Sequence, residues 1–258
     1  AQAAPPQLSA NPQADAALIT QIEEIMKNNT AAGAHAKLEA FRKSNGTRLS
    51  SRDAKSLAGT FDAAWAYCLF AIGLREIPDI HQKFTTAIAN WKDADSDEDR
   101  DIQWKYIREV SKYFGKLRDL FTQAREDIES NRFDSVESTV LRGAIADAKA
   151  KSSQSRECAR LLDDLSTEDL EIYQLHLLYQ MGNSDAKLAK SALDDFKREF
   201  SNNAALIKEA QSLYEAHREV QLCLANARGV VKSIVANVNR DGVYGPQNKI
   251  WLVDTRDS

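Results

Sequence analysis

The sequence predicts an all-α protein: an elongated helical bundle with three long helices, several shorter ones and a short extended C-terminal tail. Three observations predict it. From Asn203 to Arg240 the positions Leu206, Ala210, Leu213, His217, Val220, Leu224, Ala227, Val231, Ile234 and Val238 advance in alternating steps of four and three. That is the heptad seam of a helix packed lengthwise against other helices. A second stretch, about Asp97 to Asn131, places Tyr106, Val110, Tyr113, Leu117, Leu120 and Ala124 in the same steps, flanked by Ile107, Phe114, Phe121 and Ile128. Such a stripe is wide enough to face a bundle. Finally, Pro78 is the only proline between Pro12 and Pro246, which a strand-rich or loop-rich chain would rarely show.

Taken in order, residues 1–11 are, apart from Leu8, Ala, Gln, Pro, Ser and Asn with little to bury, and read as a flexible tail. Asn11-Pro12 opens the first helix, since Asn suits the cap and Pro the first turn. A second, Ala-rich helix is expected to stop at Asn45-Gly46. Ser50 and Asp53 form a candidate capping box for a third helix, apolar nearly all round from Phe61 to Leu74 and therefore central. Pro78 is expected to end it and start a fourth, carrying Ile80, Phe84, Ile88 and Trp91.

Ser96 and Asp99 cap the fifth helix. A sixth is expected from Asp134 to about Leu165, and a seventh, capped by Ser166 and Asp169, from Leu170 to Met181. An eighth runs from Ser184 to about Phe200, and a break at 201–203 leads into the long last helix, which should be zipped along its length to other rods. The resulting organisation is a tail at 1–11, a single helical bundle at 12–240 and an extended tail at 241–258, in which 250–253 is the best strand candidate.

Composition narrows the function classes. With 34 basic and 38 acidic side chains the net charge is -4, which argues against non-specific nucleic-acid binding. Cys68, Cys158 and Cys223 are an odd, widely spaced set inside apolar helical patterns. They are expected to be buried thiols, with a lean towards a reducing, cytoplasmic compartment. The chain starts at Ala1 and no signal peptide is read in it. The longest nearly uncharged run, 63–74, is too short to span a bilayer, so a soluble chain is expected.

Candidate sites are few. The alternating acids Asp93, Asp95, Asp97 and Asp101 match a helix-loop-helix calcium loop at its first, third, fifth and ninth positions. Glu98 stands where the turn needs Gly, and Trp104 where it needs a bidentate Glu. A solvated loop whose acids favour a helix N-terminus is the expectation. No Glu-x-x-His pair precedes His35, His81, His176 or His217, so no di-metal bundle site is expected. His217, on the seam of the last helix, reads as a satisfied core histidine that helps set register. Lys105, Arg108, Lys112 and Lys116 line one face of the fifth helix among acids and read as a mixed solvated face.

No Gly-x-Ser-x-Gly elbow and no Gly-rich phosphate loop is present, so the sequence predicts no catalytic, cofactor-binding or metal-ligating residues and no cofactor. Ile250, Trp251, Leu252 and Val253 are the candidate partner-binding residues, through strand addition or an aromatic anchor. The expected function is a non-catalytic structural or interaction protein, a scaffold or subunit of a larger assembly, with a protein partner or self-association and no nucleic acid. The alternative is a membrane-active helical bundle that refolds to expose its third and seventh helices; an enzyme with scattered site residues ranks below both.

Overall fold

The computed structural model describes residues 12–182 and 186–240, with side-chain environments described for 13–182 and 186–233. The expected tails at 1–11 and 241–258 lie outside the described residues. Those described form eight helices and no strand: α1 (Pro12–Lys27), α2 (Ala31–Leu49), α3 (Lys55–Lys92), α4 (Asp97–Glu129), α5 (Thr139–Ala150), α6 (Ser152–Gly182), α7 (Ala186–Glu199) and α8 (Ala204–Arg240). The all-α class holds. The long helices number four, α3, α4, α6 and α8, with 38, 33, 31 and 37 residues.

Several caps form as the sequence implies. Thr30 Oγ1 accepts from Gly33 N at the start of α2, and Asn203 Oδ1 accepts from Leu206 N at the start of α8. Ser96 Oγ accepts from Asp99 N at 3.1 Å and donates to Asp99 Oδ2 at 2.7 Å, a capping box closed at the side-chain level.

Other expected breaks are not taken. Helix α2 runs through Asn45-Gly46 to Leu49, and Ser50 closes it, its hydroxyl donating to Gly46 O at 2.9 Å. Ser50 is therefore not the cap of α3, whose N-cap position is Ala54. Pro78 lies inside α3 and neither ends it nor starts a fourth helix. Its ring is on the exposed face, and the carbonyl it strips of a donor belongs to Leu74, which is only half-buried and can be served by water. Ile77 and Ile80 beside it are buried and hold the helix continuous through the lesion.

The expected sixth helix is likewise redrawn. Ser138 caps α5, accepting from Leu141 N at 3.3 Å and donating to Glu23 Oε1 at 2.5 Å. The break falls at Lys151, and α6 then passes unbroken through the expected cap at Ser166. Ser166 Oγ donates back to Leu162 O at 2.8 Å instead. The buried stripe Cys158, Leu162, Leu165, Asp169 and Ile172 crosses that point in steps of four and three, and burial of a continuous face outweighs a local capping preference.

The helices group into two compact units, one ending at Leu170 and the other beginning at Glu171, so the boundary falls inside α6. In the first unit α3 is central, packing on α1, α2 and α5 and most extensively on α4. The α3–α4 contact is aromatic: Phe70 stacks on Phe121 at 5.6 Å, and Phe84 meets Phe114 edge-on at 5.7 Å. The expected α4 stripe is trimmed on one side. Leu117 and Ala124 of its seam and the flanking Ile107, Phe114, Phe121 and Ile128 are buried, whereas Tyr106, Tyr113 and Leu120 are 41%, 50% and 45% exposed. A seven-residue repeat fixes that a stripe exists; the partner decides which edge of it is covered. In the second unit Tyr173, Leu177, Leu193, Phe196 and Ala210 are buried, with Tyr173 edge-on to Phe200 at 5.5 Å.

Candidate functional site

The last helix carries a long run of exposed residues. Its first turns pack on their own unit: Ala210 is buried, and Leu206, Ile207, Tyr214 and His217 are half-buried. From Arg218 to Ser233 every residue is exposed. The expected zipping along the whole rod is thus confined, among the described residues, to its start. Length explains this. Helix α7 has 14 residues and α8 has 37, about 21 Å against about 55 Å at 1.5 Å per residue.

The exposed part is not a solvated face. Val220, Leu224 and Val231 continue the heptad seam and are 56%, 47% and 44% exposed, and Val230 beside them is 59% exposed. With Cys223 and Ala227 they occupy one arc of the helix, while Gln221, Arg228 and Lys232 occupy the other. An arc of this width, about 120° at 100° per residue, is what a helix presents to a packed neighbour.

Two grooves flank the start of this stripe. One, of about 130 Å³, is lined by Leu177, Leu178, Phe196, Leu206, Ala210 and Leu213 among others. The second, of about 450 Å³, lies between the end of α6, α7 and α8, with Met181, Ala189, Tyr214 and His217 in its wall. His217 is therefore half-buried at the edge of a groove rather than enclosed in a core. The cysteines also divide against expectation: Cys68 and Cys158 are buried, but Cys223 is exposed. Burial pushes the Cys68 thiol up to about 12 and, with help from Glu157, the Cys158 thiol up to about 11. Alkylating reagents, which need the thiolate, will therefore favour Cys223.

A feature the sequence did not reveal lies in the first unit, a groove of about 630 Å³ between α3 and α4 lined by Glu76, Asp79, Lys83, Tyr106 and Tyr113 among others. The Tyr113 hydroxyl donates a short hydrogen bond to Glu76 Oε2. This bond first, and burial second, push Tyr113 up to about 12. Burial pushes Glu76 the other way from its hydrogen bonds, and the bonds from Tyr113 and Arg75 win, leaving its carboxyl below the ordinary value. The pair ties α3 to α4 across the groove. With α3 expected to end at Pro78, the two faces had no reason to meet.

The acidic 93–101 loop is organised by Arg100, whose guanidinium donates to Ala94 O at 2.6 Å and to Trp91 O at 3.3 Å and stacks on the Trp91 ring. Among the described residues no three His, Cys, Asp or Glu side chains stand close enough to hold a metal ion. Among the described residues one helix, α3, is long and apolar enough to cross a bilayer by length and composition, over a window longer than the 63–74 run implied. More than half of that window, 56%, is buried against the rest of the protein. Ile250, Trp251, Leu252 and Val253 lie outside the described residues. Comparison with known proteins finds no family model, no curated protein and no solved structure that matches the chain.

Proposed function

We propose that the chain is a non-catalytic interaction protein, a scaffold or one subunit of a larger assembly, and that it engages a protein partner through the apolar face of α8. The observation that carries this reading is the run from Arg218 to Ser233, exposed throughout yet patterned for burial. Apolar stripes of this length are rarely left to water. A helix that extends beyond its tertiary contacts also loses most of what stabilises it, so a covering surface is favoured twice over.

Leu224→Asp places a charge at the centre of the stripe and nowhere near either unit's core. The full-length protein should retain a defined partner at fixed stoichiometry, or an assembled mass by light scattering, that Leu224→Asp loses without losing helicity. Identical behaviour of the two proteins refutes the reading. The segment Ile250–Val253 is tested separately. Truncation after Arg240 is expected to weaken association while leaving helicity unchanged, and two identical monomers remove it as an anchor.

A second reading, a membrane-active bundle, is supported by the length and composition of α3. It requires refolding, since most of that window is packed inward. Liposome dye release and co-sedimentation test it directly; neither release nor pelleting removes it.

A further inference from the structure

We infer that the occupant of the α8 face is a second copy of the same chain, with the two α8 helices antiparallel and crossing near residue 222; this rests on the reading of α8 as a docking face. Four observations converge on it.

The first is the side of the seam that is apolar. Cys223 and Val230 flank it on one side, and Gln221 and Arg228 on the other. In a parallel pair each flank meets the opposite flank of its neighbour, so Cys223 would face Arg228 of the second copy. In an antiparallel pair like meets like. Cys223 then lies beside Cys223 of the second copy, and Val230 beside its Ala216.

The second is size complementarity. A parallel, in-register pair stacks His217 on itself and leaves two alanines, Ala227, facing across a void. Reversing one helix about residue 222 sets His217 against Ala227 of the second copy, Val220 against its Leu224 and Leu213 against its Val231. Each layer then matches a larger side chain with a smaller or equal one, as close packing requires. The contact is isologous, every pair occurring twice.

The third is an aromatic contact. The same register brings Arg228 of the second copy beside Tyr214, which is half-buried at a groove that Lys187, Lys190 and Arg218 also line, so the ring face is the contact open to that cation there.

The fourth is continuity. The exposed half of α8 begins where its own unit stops covering it, and the grooves lie beside the covered half. An antiparallel second copy lays its exposed half along those grooves and receives the same cover in return. Val231 of the second copy then reaches the groove at Leu213.

Spin labels on full-length protein test the arrangement. The label is placed at Cys223, and separately at Lys232→Cys in a Cys223→Ser background; Cys68 and Cys158 are buried. At 1.5 Å per residue the two copies of residue 223 are about 3 Å apart along the helix axis and those of residue 232 about 30 Å apart. Dipolar spectroscopy should therefore read a short distance at 223 and one longer by tens of ångströms at 232. Short distances at both positions mean a parallel pair and overturn the inference. Absent coupling with a monomeric mass overturns self-association, while a partner lost in Leu224→Asp would leave the docking reading standing. Charge variants read the register independently of labels. Leu213→Glu and Val231→Arg should each weaken dimerisation at least about tenfold, and the double variant should recover it, because each Glu then faces an Arg of the second copy. No recovery in the double variant also overturns the register.

Discussion

Gly73→Ala probes the closest approach in the first unit. A methyl at position 73 would stand 2.1 Å from Phe121 Cδ2 and 2.8 Å from Cγ. Carbon atoms prefer about 3.5 to 4.0 Å, so the ring must retreat by more than an ångström. It has nowhere to go: Phe121 is 1% exposed and stacked on Phe70, itself 2% exposed. Overpacking of this kind costs about 1 to 3 kcal/mol, and this overlap belongs at the upper end. Alanine returns about 1 kcal/mol as the better helix former. The net expectation is a loss of about 2 kcal/mol. Gly115→Ala in α4 is the control, because its added Cβ meets nothing within 4 Å; it should gain about 0.5 to 1 kcal/mol. Both glycines lie in the same unit, so urea denaturation followed by far-UV circular dichroism compares them directly. The two variants should differ by about 3 kcal/mol, and Gly73→Ala with Phe121→Leu should recover part of the loss. If Gly73→Ala is as stable as Gly115→Ala, α3 and α4 do not pack as described.

Pro78→Ala should stabilise the first unit by about 1 to 2 kcal/mol, the restored hydrogen bond to Leu74 outweighing the gain in unfolded-chain entropy; a destabilised variant would mean that the ring itself is needed for packing. Ser96→Ala removes both halves of a capping box and should cost about 1 kcal/mol, measured in the same urea titration. His35 sits against the Trp65 ring at 4.3 Å, and burial, opposed weakly by Glu39, holds its pKa below the ordinary value of 6.5. The unfolded chain therefore takes up the proton first. Stability is full above about 6.5 and falls as pH drops through the folded-state pKa. His35→Gln should flatten that part of the stability profile, and an unchanged profile assigns the acid sensitivity elsewhere.

How much of this was legible beforehand varies by element. The helix starts at Ser96 and Asn203 could be read because a cap is a local event, decided by one oxygen and the amides two or three residues ahead; the equally local cap at Thr30 was passed over. The α8 rod could be read because its heptad steps run without a slip. The stops at Asn45-Gly46, Pro78 and Ser166 were misleading because each is a local preference of a kilocalorie or a few. At Pro78 and Ser166 the chain around it buries a continuous apolar face worth more. Past Asn45-Gly46 nothing is buried, and the last turn of α2 is held instead by the Arg48–Asp15 ion pair at 2.6 Å and the Ser50 hydroxyl on Gly46 O. The groove holding Glu76 and Tyr113 was hidden for the same cause, since it exists only when α3 passes Pro78.

Sequence alone therefore determined that the chain is helical, where α1, α4 and α8 begin, and that its last helix is one unbroken rod. Tertiary structure decided which edge of the α4 stripe is core, where α6 starts, that Cys223 faces out while Cys68 and Cys158 face in, and that the rod outruns its own unit. Periodicity along a chain records that a face is meant to be covered. Whether a neighbour is there to cover it depends on the lengths and positions of other helices, which no local pattern contains.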